Sequence, residues 1–454
     1  AKYHPKYYKI RIEIFMEREK FKSRLGFILI SAGCAIGIGN VWRFPYVVGN
    51  NGGGCFVLFY ILFLVILGLP ILTMEFSVGR ASQQSISRAF KTLEKKGQYW
   101  HLHGYIGMIG NYILMMFYTT VAGWMLRYFF DTAKGDFTNA GTADVQKHFS
   151  NMNAVPSEMI FWTVLVIIIG FLVCSLGLQK GVEKISKLMM IALLIIMVVL
   201  AINSIFLDGA GKGLYFYLVP DFGQIKKVGL INVIVAAMNQ AFFTLSIGMG
   251  SMTIFGSYLD KDRSLLGESI NIVALDTFVA VVSGLIIFPT CFAFGVSPDQ
   301  GPKLIFVTLP NIFAKMPGGR IWGSCFFIFM AFAAFSTVIA VFENIMSSCM
   351  DLWKWSRKKT ALINAVIIII TSIPCVLGFN VLSGFHPLGK GTNVMDLEDF
   401  IISNLILPIG SLIYTLFCTS KYGWGWDNYL KEVNSGTGLK VPGKIRFYCK
   451  WILP

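Results

Sequence analysis

The sequence predicts an all-α integral membrane protein made of two inverted five-helix repeats, with helices 1 and 6 broken. Three observations predict it. Of the 454 residues, 55% are hydrophobic and only 14% charged, more apolar surface than a water-soluble domain can bury. Apolar runs long enough to cross a bilayer, about 20 residues each, recur at 25–49, 55–79, 104–130, 158–176, 185–207, 229–258, 265–296, 320–350, 361–379 and 399–420. Two of these runs, the first and the sixth, are interrupted near their middles. The runs lack period-two alternation, which argues against a transmembrane barrel.

The first run contains SAGCAIGIGNVWRFPYVVGNN at 31–51, with Gly33, Gly37 and Gly39 followed by Arg43 and Pro45. A glycine in a helix interior costs about 1 kcal/mol relative to alanine, and an arginine in hydrocarbon costs more, so a continuous helix is not expected here. The sixth run contains NQAFFTLSIGMGSM at 239–252, where Thr244, Ser246, Gly248 and Gly250 interrupt the apolar pattern. Five spans precede it. Because five is odd, spans 6–10 repeat spans 1–5 upside down. Small residues in one membrane helix commonly serve close packing. Two polar breaks at matching places in inverted halves instead point to the midplane binding site of a secondary transporter. Unwound backbone is tolerated in a membrane only where it is buried or lines a cavity. Its freed carbonyls and helix ends can take a cation and a carboxylate. A nucleotide-binding reading of Gly37-Ile38-Gly39 fails, because no strand or βαβ unit surrounds it.

The formal charge of +15 reads as topology. Lys2, Lys6, Lys9, Arg11, Arg18, Lys20, Lys22 and Arg24 precede the first span; Arg80, Arg88, Lys91, Lys95 and Lys96 follow the second; Lys354, Arg357, Lys358 and Lys359 follow the eighth. Positive charge on alternate sides places the amino terminus in the cytoplasm. Lysines spread over loops do not form a nucleic-acid face. The nine cysteines make no CxxC pair and read as small buried hydrophobes. His101 and His103 point to different helix faces and suggest no metal site. The expected organisation is a cytoplasmic amino-terminal segment at 1–24, the first repeat at 25–207, an extracellular connection at 208–228, the second repeat at 229–420, and a cytoplasmic loop with the start of an eleventh span at 421–454. MEREKFKSRLG from Met16 reads as a natural beginning, with 1–15 non-native, and the apolar run opening in KIRFYCKWILP reads as a truncated eleventh span.

GCAIGIGNVWRFPYVVGNNGGGCF, the E-x-x-x-G-R of Glu75 to Arg80, and NQAFFTLSIGMG together strongly resemble the signatures of the neurotransmitter:sodium symporter family. The resemblance runs from about residue 18 to the end, in order, and is nearest to bacterial amino-acid members, tyrosine transporters among them. It implies the leucine-transporter fold, an inner-membrane location and sodium-coupled symport by alternating access, with spans 1, 2, 6 and 7 moving against a scaffold. It implies no enzyme activity.

The resemblance also implies the sites. A first sodium site would use the Ala35 carbonyl, Asn40, Thr244 and Asp276, completed by the substrate carboxylate. Many members have asparagine where Asp276 stands. Chloride-dependent relatives have serine, and some bacterial ones glutamate, where this chain has Ala280. Asp276 would then supply the negative charge that chloride supplies elsewhere, so two sodium ions and no chloride are expected. A second sodium site would use the carbonyls of Gly33, Ile36 and Ala333 and the hydroxyls of Ser336 and Thr337.

The substrate would lie among Ala35, Gly37, Gly39, Leu114, Tyr118, Phe243, Thr244, Ser246, Met249, Thr337 and Val341. Its carboxylate would meet the Gly39 amide, Tyr118 and the first sodium. Met249 and Val341 stand where the leucine-specific relative has phenylalanine and isoleucine, which favours a large hydrophobic or aromatic amino acid, tyrosine first. An outer gate would pair Arg43 with Asp399. An inner gate would pair Arg18 with Asp351, braced by Tyr258. Glu75 would satisfy unwound backbone in span 6. The expected partners are an amino acid and the lipid bilayer, with no nucleic acid and no obligate protein partner. The alternatives are an ion channel built on a broken-helix pore, which would need polar rings or a wide pathway, and a symporter of a different small amine or amino acid.

Overall fold

The computed structural model describes residues 19–295 and 304–454. Among the described residues, nine stretches are long and apolar enough to cross a membrane, counting one bent pair as a single span, and a tenth is made of two shorter helices. Span 1 is the bent pair Arg24–Ala35 and Gly39–Asn50, with 52° between its halves. Spans 2–5 are Gly54–Ser82, His101–Lys134, Pro156–Ser175 and Leu178–Ile205. Span 6 is Leu230–Thr244 followed, after a non-helical stretch at 245–250, by Ser251–Ser257. Spans 7–10 are Leu265–Ala293, Gly319–Trp353, Arg357–Leu377 and Val394–Thr419. Both breaks fall in the runs that the sequence marks as interrupted.

The connections hold short helices that the sequence reading did not resolve. Ile86–Leu93 follows span 2, Thr142–Ala154 follows span 3, Ala210–Leu218 follows span 5, and Leu309–Lys315 precedes span 8. The chain closes on Trp426–Val433 and the short turn Tyr448–Ile452.

Span 8 is the central post. In its apolar stretch 83% of the residues are buried, against 33% in span 5. In span 5 the exposed Leu188, Ile191, Ile195, Val199 and Ile202 recur every three or four residues and form one helical stripe. Such a stripe suits contact with lipid and would be an aggregation surface in water.

Several spans contain wide π-type turns: Gly39–Arg43 in span 1, Leu64–Gly68 in span 2, Leu178–Glu183 in span 5 and Ile401–Ile406 in span 10. Single wide turns of this kind concentrate at functional positions, and those in spans 1 and 10 border the same small cavity.

Candidate substrate and cation site

The site is built from backbone first. Span 1 stops at Ala35, and Ile36 is extended at φ −74° and ψ 97°. A side chain at Gly37 would collide with the Tyr118 and Thr337 hydroxyls, so the residue must be glycine for the strand of backbone to pass. The Ile38 amide donates to the Tyr118 hydroxyl oxygen at 2.8 Å, and the Gly37 amide to Asn40 Oδ1 at 3.3 Å. In span 6, Ser246, Gly248 and Gly250 have φ of 50°, 102° and 82°, the left-handed region that breaks a helix. Unwound backbone in a membrane must find other partners. The buried Glu75 carboxylate supplies them, accepting from the amides of Gly248 at 2.9 Å, Met252 at 3.0 Å and Thr253 at 3.4 Å. Glu75 thus occupies the position expected of it.

Two oxygen clusters flank the breaks. In the first, the buried Asp276 carboxylate accepts from Asn40 Nδ2 at 2.8 Å, from Thr244 Oγ1 at 3.1 Å and from the Tyr60 hydroxyl at 3.4 Å. Tyr60 was not among the expected residues. It lies in the apolar second run with nothing in the local sequence to separate it from core. Ala280 is also buried, one helical turn beyond Asp276. In the second cluster, Ser336 Oγ lies 3.1 Å from the Ile36 carbonyl and 2.8 Å from that of Ala333. Thr337 Oγ1 lies 3.2, 3.3 and 3.4 Å from the carbonyls of Gly33, Cys34 and Ile36. Carbonyl and hydroxyl oxygens gathered in this way are the donor set that a hard cation prefers.

Between the clusters lies a small cavity lined by Cys34, Ala35, Gly37, Gly39, Leu114, Tyr118, Phe243, Ser246, Met249, Thr337, Ile402 and Leu407. The centre of a water-sized sphere has about 10 Å³ in which to move, which is room for roughly one water. Thr244 and Val341, both expected here, are not on the wall. Thr244 turns to Asp276, and Val341 is buried one turn along span 8 from Thr337, beyond where so small a space reaches. Ile402 and Leu407 take the wall instead. They lie at the wide turn of span 10 and just after it, a local geometry that the sequence pattern did not reveal.

Above the cavity, Arg43 lies over the Phe243 ring, 4.1 Å from its centroid. Its Nη1 donates to Ser403 Oγ at 2.9 Å, and Ser403 donates to Asp399 Oδ1 at 2.8 Å. The direct Arg43–Asp399 separation is 3.7 Å. The expected pair is therefore bridged by a serine, not closed by direct contact alone.

On the amino-terminal side, the Tyr258 hydroxyl donates to Glu343 at 2.7 Å and lies 2.6 Å from Ser347 Oγ. Arg357 makes two 2.8 Å bonds to the Glu343 carboxylate and approaches Glu19 at 3.6 Å. Asp351 accepts from the Ser85 amide at 2.7 Å. Arg18 lies outside the described residues. The Glu343–Arg357 pair was missed by the sequence reading. Its members sit on two helices separated by a tight turn, and only folding shows that they face each other.

Residues 18–139 and 132–454 match the Sodium:neurotransmitter symporter family. The chain is 34% identical to the uncharacterized sodium-dependent transporter YhdH of Bacillus subtilis (strain 168), over 94% of this chain and 92% of that protein. It is 31% identical to an uncharacterized sodium-dependent transporter of Haemophilus influenzae, over 96% of each. The crystal structure of MhsT in complex with L-phenylalanine superimposes with a TM-score of 0.87 at 38% identity, covering 96% of this chain and 98% of that one. The all-α leucine-transporter fold, with its inverted repeats and broken helices, is common to both. The chain therefore belongs to the sodium:neurotransmitter symporter family, whose members are secondary transporters and not enzymes.

Proposed function

We propose that the protein is a sodium-coupled, chloride-independent symporter of a large hydrophobic or aromatic amino acid, with tyrosine favoured. The observation that carries this reading is the joining of two oxygen clusters to one cavity through broken span 1, with broken span 6 contributing to the first cluster and to the cavity wall. Sodium at the first cluster would take oxygen from Ala35, Asn40, Thr244 and Asp276. The substrate carboxylate would complete that shell, so that cargo and cation stabilise each other. The Tyr118 oxygen already accepts from Ile38, which leaves its proton free to turn toward the substrate carboxylate. The amine would meet carbonyls of the broken spans.

A second sodium would be held by the carbonyls of Gly33, Ile36 and Ala333 with Ser336 and Thr337, and it would tie span 1 to span 8. Leu114, Phe243, Ser246, Met249, Ile402 and Leu407 would surround the side chain. The cavity must widen to admit a ring, and the flexible thioether of Met249 is suited to moving aside. Complexation of L-phenylalanine by MhsT supports an aromatic cargo. The buried Asp276 beside Ala280 supports a fixed negative charge in place of chloride.

The positive-charge pattern supports a cytoplasmic amino terminus, which makes Arg43, Ser403 and Asp399 the outer lid. Tyr258, Glu343, Arg357 and Asp351 would then form the inner one, with Arg18 adding to it. Alternating access follows from opening one lid at a time.

The test is uptake of labelled L-tyrosine and L-phenylalanine into proteoliposomes under an inward sodium gradient. Saturable, sodium-dependent accumulation and counterflow are expected. Sodium-independent, non-saturating flux would favour a channel and refute the proposal.

A further inference from the structure

Side chains from two neighbouring spans bond the unwound backbone of span 6. Glu75 of span 2 holds the amide side of the break. The carbonyl side is held by Asn111 of span 3, which is buried. Asn111 Nδ2 donates to the Met249 carbonyl at 3.0 Å and to the Gly107 carbonyl at 2.7 Å. Its Oδ1 accepts from Asn344 Nδ2 at 3.1 Å and from Ser251 Oγ at 3.4 Å.

This set of partners fixes the orientation of the amide. Turned over, its oxygen would face two carbonyls and its nitrogen would face the donor of Asn344. The approach is close: a side chain at Gly107 would bring its first carbon to 3.0 Å from the Met249 carbonyl.

Met249 sits between Gly248 and Gly250, both in left-handed conformations. Glycine neighbours leave the backbone on either side of Met249 free to rotate. Local sequence therefore cannot decide where the Met249 side chain points. The flanking bonds do so instead: Glu75 accepts from the Gly248 amide and Asn111 donates to the Met249 carbonyl.

We propose that Asn111 is a specificity-determining positioning residue: through the Met249 carbonyl it holds the Met249 side chain in the wall of the substrate cavity. The inference rests on the symport reading and deepens it. Asn344, from span 8, orients Asn111 in turn, so spans 3 and 8 together set the shape of a wall contributed by span 6.

The experiment measures sodium-dependent binding of L-phenylalanine and L-alanine to the purified full chain, to Asn111→Leu, to Met249→Ala and to the double variant. In the unmodified chain phenylalanine is expected to bind more tightly than alanine. Asn111→Leu should reduce that preference about five- to tenfold, the equivalent of one buried hydrogen bond. In the Met249→Ala background the same substitution should leave the preference unchanged, because the side chain being positioned is gone. Asn111→Ala, which adds no bulk, gives the same comparison where leucine impairs folding. Equal weakening of both amino acids, or a preference within twofold of the unmodified chain, would overturn the inference and leave the symport reading intact. Absence of sodium-stimulated binding to the unmodified chain would overturn both.

Discussion

Ser336→Ala separates the second oxygen cluster, the proposed second cation site, from the cavity. Ser336 Oγ lies within hydrogen-bond distance of the Ile36 and Ala333 carbonyls, yet the residue is not on the cavity wall, unlike Thr337. The substitution removes one oxygen of the proposed five-oxygen shell and changes little else, since alanine fits wherever serine does. A contact between a neutral polar group and a charge is worth about 1.5–3 kcal/mol. At about 1.4 kcal/mol per decade, sodium affinity at this site should fall by roughly one to two decades. The assay is binding of labelled L-phenylalanine at a fixed low concentration while sodium is titrated, with potassium keeping ionic strength constant. The midpoint should move to higher sodium, and the affinity measured at saturating sodium should return close to that of the unmodified chain. A sodium midpoint within twofold of the original would refute the assignment. A loss of substrate affinity that no sodium concentration restores would show that Ser336 acts on the cavity and not on a cation.

Replacing chloride by gluconate should leave uptake nearly unchanged, whereas Asp276→Ala should weaken sodium-dependent binding; collapse of uptake in gluconate would refute the role given to Asp276. Arg43→Ala removes the cation over Phe243 and the bond to Ser403. It should slow uptake at least about tenfold while sparing equilibrium substrate binding, and a normal initial rate of uptake in proteoliposomes would count against a lid. Met249→Phe places a rigid ring where a flexible chain now lines the cavity. It should shift competition by about tenfold, or 1.4 kcal/mol, away from tyrosine and toward leucine, within the 1–3 kcal/mol that small changes in an apolar pocket typically carry. Val341→Ile, off the wall, should leave the order of inhibitors unchanged in the same competition panel.

Much of this architecture is visible in the bare sequence because a membrane penalises irregular backbone so strongly. Gly37, Gly39, Gly248 and Gly250 stand out only because the residues around them are apolar. The partners of the unwound segments are legible to different degrees. Glu75 can be singled out because a carboxylate in an apolar run needs a reason to be there. Asn111 cannot, since one asparagine in a long helix gives no hint of which carbonyl it meets. Tyr60, Ile402 and Leu407 look like ordinary core, and their place at the site depends on packing between spans far apart in the chain. Val341 is the reverse case: the resemblance places it at the substrate, while it lies one turn from Thr337 and outside the cavity lining. The proposed lids follow the same division. Arg43 and Asp399 are conspicuous charges, whereas the bridging Ser403 is one hydroxyl among many.

The small resting volume of the cavity bears on the tightness of coupling. The cavity has room for about one water, and Arg43 covers the Phe243 ring of its wall. In the proposed cycle, an ion that entered the first cluster without cargo would find its shell short of the substrate carboxylate. On that proposal, leak of sodium down its gradient would be opposed by the narrowness of the cavity as well as by the incomplete shell, and the stored energy would be released chiefly when an amino acid forces the walls apart.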